Sequence, residues 1–271
     1  MRVSATERTL NYAILIGFSL IVLTPVLSIL AAAFGPANAS AAREGAFHPG
    51  NFATAWVEGR FGQYMGTSVL VAVIVVSLSV LLSILSGYAF GTMRFRGEQG
   101  LFYLFLLGIM VPSEAIIVPL FFDLRTFGLT DTVWAVALPQ VAQSVAFGTY
   151  WMRAYFKSVN PSIMDAARVD GASKGRILFS ILVPMGRPAI TTMVVLMFMW
   201  TWNEFLIPLV MSPSGEFRTA PLGLAFFQGQ YTQGTALLAA AAVMVALPVV
   251  VLYFLMQRHF IKGMLEGAVK E

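Results

Sequence analysis

Two carboxylates lie inside otherwise uncharged apolar stretches, Glu114 in "VPSEAIIVP" and Glu204 in "MWTWNEFLIP". A carboxylate in the hydrocarbon core of a bilayer costs roughly 2.5–3.5 kcal/mol on insertion scales, so such groups ordinarily face a cavity or a partner. Glu204 belongs to a wider polar face, because Trp200, Asn203 and Glu204 fall at i, i+3 and i+4 and would share one side of a helix. An aromatic ring beside an amide and a carboxylate suits a polyhydroxyl ligand. The same groups could equally hydrogen-bond one helix to another within a bundle. A proton or ion relay would want several intramembrane carboxylates or histidines, and both histidines, His48 and His259, lie outside the apolar stretches. Cysteine is absent, which removes disulfides and thiolate chemistry, and no clustered nucleophile and base or metal-ligand set is found.

A second chemistry-bearing stretch is short and polar: "NPSIMDAARVDGASKGRILFSILVP", Asn160 to Pro184. Asn160 followed by Pro161 is a helix start, with Asp165 near the first turn where the helix dipole favours an anion. Gly171 can take the left-handed conformation that ends a helix, Ser173 can cap a second one, and Pro184 marks that helix's end or bend. The spacing predicts an angled helix pair with small residues, Ala166, Ala167 and Ala172, along its edge. Such an elbow either enters a groove on a partner protein or simply connects its neighbours at the membrane interface.

The elements that must hold these groups are apolar helices. Hydrophobic residues make up 58% of the 271 and charged residues only 11%, against about 45–50% and about 25% in soluble domains. The pattern does not alternate as a barrel's would. At about 20 residues per crossing, six spans are expected, near 10–34, 65–91, 101–122, 133–152, 188–211 and 235–257. The first run exceeds the length of a signal h-region and is taken as an anchor. Of the 17 lysines and arginines, all but Arg43, Arg60, Arg125 and Arg218 fall on the side of the termini. The positive-inside rule therefore makes both termini cytoplasmic, together with the polar elbow between the fourth and fifth spans. Small residues four apart in the second span (Ser79, Ser83, Gly87, Gly91) suit close helix crossing, within the chain or between subunits.

"DAARVDGA…ILVP" resembles the coupling-loop motif of bacterial ABC importer permeases, usually written EAA, three residues, G, nine residues, I-x-L-P. Asp165, Ala166 and Ala167 stand for EAA, Gly171 for the glycine, and Ile181, Val183 and Pro184 for the close, with Asp for Glu and Val for Leu as the two departures. "GYAFGTMRFRG", "TWNEFLIPLV", "GLAFFQGQY" and the tail "QRHFIKGMLEGAVKE" extend the likeness to the second permease subunit of maltose-type carbohydrate importers.

That resemblance implies an all-α integral membrane protein of the bacterial inner membrane, paired with a second permease, two ABC ATPase subunits and an external solute-binding protein. Residues 1–64 would form the first span and external loop, 65–257 the permease core with its coupling loop at 156–187, and 258–271 a cytoplasmic tail. The resemblance assigns Asp165, Ala166, Ala167, Arg168, Asp170, Gly171 and Ala172 to a groove on the ATPase. It also directs the outward connection from Ser212 to Gly234, with Gln228, Gln230 and Tyr231, toward the binding protein. No G-x-x-x-x-G-K-[ST] phosphate loop occurs, so ATP and Mg would be held by the partner ATPase and this chain would be no enzyme. A carbohydrate is the implied cargo, a polyol or glycerol phosphate the alternative, and an ion-coupled secondary transporter the more distant one.

Overall fold

The structure is a computed structural model that describes residues 5–37, 45–230 and 235–268, and the described residues are helices and connections with no strand. In chain order the helices are α1 (Ala5–Ala33), α2 (Gly50–Glu58), α3 (Phe61–Thr92), α4 (Glu98–Met110), α5 (Ser113–Thr126), α6 (Val133–Ser158) and α7 (Pro161–Val169). They continue with α8 (Lys174–Met185), α9 (Arg187–Asn203), α10 (Leu206–Met211), α11 (Ala220–Gln230) and α12 (Thr235–Ala268). The connection expected from Ser212 to Gly234 is thus helical from Ala220 to Gln230.

Among the described residues three helices are long and apolar enough to cross a membrane singly: Glu7–Ala33, Phe61–Thr92 and Thr235–Gln257. α4 with α5 and α8 with α9 pass only as bent pairs, turned by 99° and 79°. The third span, expected as continuous over 101–122, is therefore interrupted, and the fifth, expected over 188–211, is interrupted separately at Glu204, between α9 and α10. The residue before a proline is pushed out of the helical region, and Val111, before Pro112, is extended at φ −79° and ψ 117°. Pro208 has no N–H for the carbonyl four residues back, which belongs to Glu204, and there the chain leaves α9 for an extended residue at φ −65° and ψ 127°. α6 has 26 residues but is less apolar, because Gln140, Gln143, Ser144 and Thr149 sit within it; Gln140, Ser144 and Thr149 are buried in protein, where a helix need not match lipid.

The chain forms two compact units. The first joins Met1–Gln63 to Gly223–Leu247. Within it the Asn51 amide donates to the carbonyls of Ala33 and Gly35 at 2.9 and 2.8 Å, tying α2 to the end of α1, and Phe34 stacks on Phe47 with centroids 5.0 Å apart. Phe227 is buried edge-to-face on Phe61 and is a core residue of this unit.

The second unit joins Tyr64–Leu222 to Pro248–Glu271, and α6 runs through its core. α3 crosses α6 with almost no space between backbones. A Cβ on Gly87 would lie 2.5 Å from that of Met152, one on Gly91 2.8 Å from that of Phe156, and one on Gly148 would collide with Ser83. The small-residue stripe of the second span thus packs within the chain. Ser86 and Thr149 share a 2.6 Å hydroxyl pair at the crossing. Arg153 donates to the Phe90 carbonyl and lies 3.8 Å over the Phe102 ring, joining α3, α4 and α6.

Candidate functional site

Two places in the second unit gather the polar groups. The first is a cavity of about 600 Å³ where both helix interruptions meet α6. Val111, Pro112, Ser113 and Glu114 line it from the α4–α5 break, Asn203 and Glu204 from the end of α9, and Gln140, Gln143, Ser144 and Phe147 from α6. All four residues singled out in the apolar stretches, Glu114, Trp200, Asn203 and Glu204, share this one cavity. Non-helical backbone at membrane depth is tolerated where it lines such a space.

Their local roles differ from the simple face read from spacing. Glu204 does not continue α9: its carboxylate accepts the Ile207 N–H at 3.0 Å and caps α10, while the Thr219 hydroxyl approaches its carbonyl at 3.5 Å. Asn203 donates to the Met199 carbonyl at 2.7 Å. Glu114 sits in the first turn of α5, where the helix dipole favours a carboxylate. Trp200 is half exposed and meets Phe147 edge-on with centroids 4.7 Å apart, giving the cavity an aromatic wall.

Gln140 was not singled out, though it lines the same space. Its Nε2 donates to the Val136 carbonyl at 2.8 Å, which fixes the orientation of the amide, and its Oε1 is buried without a partner. Buried acceptors are almost always satisfied, so this one calls for a group that the isolated chain does not supply. A signal was available, since Gln140, Gln143 and Ser144 repeat the i, i+3, i+4 spacing of Trp200, Asn203 and Glu204.

The second place is the elbow. Asn160 Oδ1 accepts the Ser162 N–H at 3.0 Å and starts α7 with Pro161 in its first turn. Gly171 is left-handed at φ +76°; its N–H donates to the Arg168 carbonyl, and that of Ala172 donates to the Ala167 carbonyl at 2.9 Å, which together close a Schellman motif. Ser173 Oγ then caps α8, accepting the Arg176 N–H. Residues Ile177–Leu182 wind as a π-helix. Its i→i+5 bonding widens the turn, which brings Leu182 round to the side of Ile177 and Leu178, and all three are buried. The bend expected at Pro184 falls two residues later at Gly186, where the Tyr155 ring would lie 2.6 Å from a Cβ and the Tyr155 hydroxyl donates to the Leu182 carbonyl at 2.8 Å.

The expected small-residue edge is only partly outward. Ala166 is exposed and Ala172 half-buried, but Ala167 is buried with Met164, Phe156 and Leu178 in the chain's own core. Asp165 and Arg168 form an exposed ion pair at 2.8 Å, Asp170 is exposed, and Val169, which the spacing did not single out, is 88% exposed. An apolar side chain flanked by charges is what a groove on another protein would grip.

Among the described residues no group of three or more histidines or carboxylates could hold a metal ion. Tyr231 lies outside the described residues, and so do the side chains of Gln228 and Gln230.

Residues 79–266 match the family model described as binding-protein-dependent transport system inner membrane component. The chain belongs to that family. As a permease subunit it is a transport component rather than an enzyme. It is 34% identical to the arabinooligosaccharides transport system permease protein AraQ of Halalkalibacterium halodurans, over 98% of each chain. It is 29% identical to the maltodextrin transport system permease protein MdxG of Bacillus subtilis, over 98% of this chain and 99% of that one. A crystal structure of a bacterial ABC transporter involved in the import of the acidic polysaccharide alginate has a chain that superposes with a TM-score of 0.77. That match covers 96% of this permease and 99% of that chain at 22% identity, a likeness of fold.

Proposed function

We propose that this permease subunit carries a carbohydrate through an ATP-driven importer of the bacterial inner membrane, with the cavity between its interrupted helices as part of the pathway. The observation that carries this reading is the meeting of both helix breaks with Trp200, Asn203, Glu204, Glu114 and Gln140 in one space. An aromatic wall with several acceptors suits a ring bearing many hydroxyls. The named substrates of its relatives, arabinooligosaccharides and maltodextrin among them, support the same class.

The elbow is the coupling handle in this reading. Asp165, Ala166, Arg168, Val169, Asp170 and Gly171 present its outer face to an ABC ATPase, which binds ATP and Mg, while Ala167 and Ala172 seat the elbow on the permease. A second permease completes the pathway and an external binding protein delivers the sugar. The fold-level likeness to an alginate importer solved with its pentasaccharide-bound periplasmic protein supports that assembly. Six crossings are proposed, α6 being the interior one, with a permease core at 65–257, both termini cytoplasmic and Gln228, Gln230 and Tyr231 toward the binding protein. Mechanically, closure of the ATPase dimer biases a two-state rocking of the spans.

Reconstitution with the second permease, the ATPases and the binding protein tests the reading: ATP-dependent uptake of a neutral oligosaccharide is expected, and uptake independent of ATP would sink it. Reporter fusions test the crossings. A cytoplasm-dependent reporter should be active between Ser173 and Arg176 and silent at Ser214.

A further inference from the structure

We propose that the cavity is a charge filter: it accepts uncharged saccharide rings and rejects uronates and phosphorylated small molecules, with Gln140 as a hydroxyl acceptor and Glu114 and Glu204 as the filter. This deepens the reading of the chain as a saccharide permease and rests on it. Among the described residues the cavity lining holds two carboxylates and no lysine, arginine or histidine. An anion entering it would meet like charge with no cation to pair with, in surroundings where charge interactions are stronger than in water. A neutral sugar meets the opposite situation. Its hydroxyls donate to carboxylates and to the unpartnered Gln140 Oε1, and its apolar C–H face covers the half-exposed Trp200 ring. One N–H of the Gln140 amide is held by Val136, and its Oε1 is covered and unpartnered, so a turn of this side chain offers an incoming hydroxyl an acceptor. A site built to accept a hydrogen bond penalises any occupant that leaves it unmade.

The test uses the complete importer in lipid nanodiscs with the binding protein withheld, so that the cavity's own preference is read. Arabinotriose and maltotriose are the neutral probes, trigalacturonate and glycerol 3-phosphate the anionic ones. At least one neutral probe should bind saturably, and each anion at least about tenfold more weakly. Gln140→Leu should weaken neutral binding about tenfold, and Gln140→Glu, which keeps an acceptor but gives up the bond to Val136, should recover part of it while rejecting trigalacturonate more strongly. The pair Glu114→Gln and Glu204→Gln, which keeps the oxygen that caps α10, should bring trigalacturonate within about threefold of the neutral sugar. Should Gln140→Leu fail to assemble, Trp200→Ala reads a loss of neutral binding from another residue of the lining. Equal binding of anions by the unmodified importer, or discrimination unmoved by the double variant, overturns the filter. With the binding protein restored, saccharide uptake without detectable cavity binding overturns this inference alone, whereas no saccharide uptake at all overturns the proposed function beneath it.

Discussion

The elbow and the cavity are both built on interrupted helices, and they deal with the freed backbone groups in opposite ways. At the elbow the turn between the helices is closed within five residues: Asn160 caps forward to Ser162, Ala172 reaches back to Ala167, and Ser173 caps Arg176. At the cavity local bonds, such as Glu204 to Ile207 and Asn203 to Met199, leave other groups with distant partners or none. The Glu204 carbonyl is approached only at 3.5 Å by Thr219, fifteen residues on, and Gln140 Oε1 has no partner. A turn that saturates itself is rigid and keeps its shape when pushed, as a handle must. A space with unmet acceptors gains by taking in a ligand that meets them.

The strongest way to break this comparison is at the two neighbouring alanines of the elbow. Ala167→Asp places a charge in the core beside Met164 and Phe156 and should cost at least about 3 kcal/mol, read as lost accumulation in the membrane. Ala166→Asp, one residue away and exposed, should accumulate normally yet release the ATPase subunits on purification. If the two variants behave alike, the elbow does not have one inward and one outward face.

Healing a cavity break should have the next largest effect. Pro112→Ala removes the residue that holds Val111 extended, so α4 and α5 can run together and close the lining. Transport should fall about tenfold with subunit assembly intact. Unchanged uptake would show that the 99° break does not shape the pathway.

Smaller losses are expected where the elbow is set by single residues. Gly171→Ala places a Cβ on left-handed backbone and should lower thermal stability by about 1–2 kcal/mol, and Asn160→Ala, which deletes the cap of α7, by about 1 kcal/mol. Asp165→Asn removes only an exposed ion pair and should cost under about 1 kcal/mol in the same melting measurement. A loss at Asp165 as large as that at Gly171 would mean that the pair is shielded by a partner even in the purified protein.

Sequence alone determined the features whose causes lie within a few residues. The N-cap at Asn160, the left-handed Gly171 and the cap at Ser173 are each set by one side chain acting on nearby backbone. Apolar length likewise marked the helices around α1, α3 and α12, because transfer from water depends on composition over about twenty residues. The same reasoning located Glu114 and Glu204 as out of place. It misjudged their setting, since it read 101–122 and 188–211 as unbroken although Pro112 and Pro208 were in view. A proline permits an interruption, but only packing against α6 decides whether the helix bends, and by how much. Which face of the elbow is inward was decided in the same way, when Ala167 met Phe156 and Leu178. Bringing Glu114, Gln140 and Glu204 to one cavity joins residues as many as ninety positions apart, a relation that no local spacing encodes.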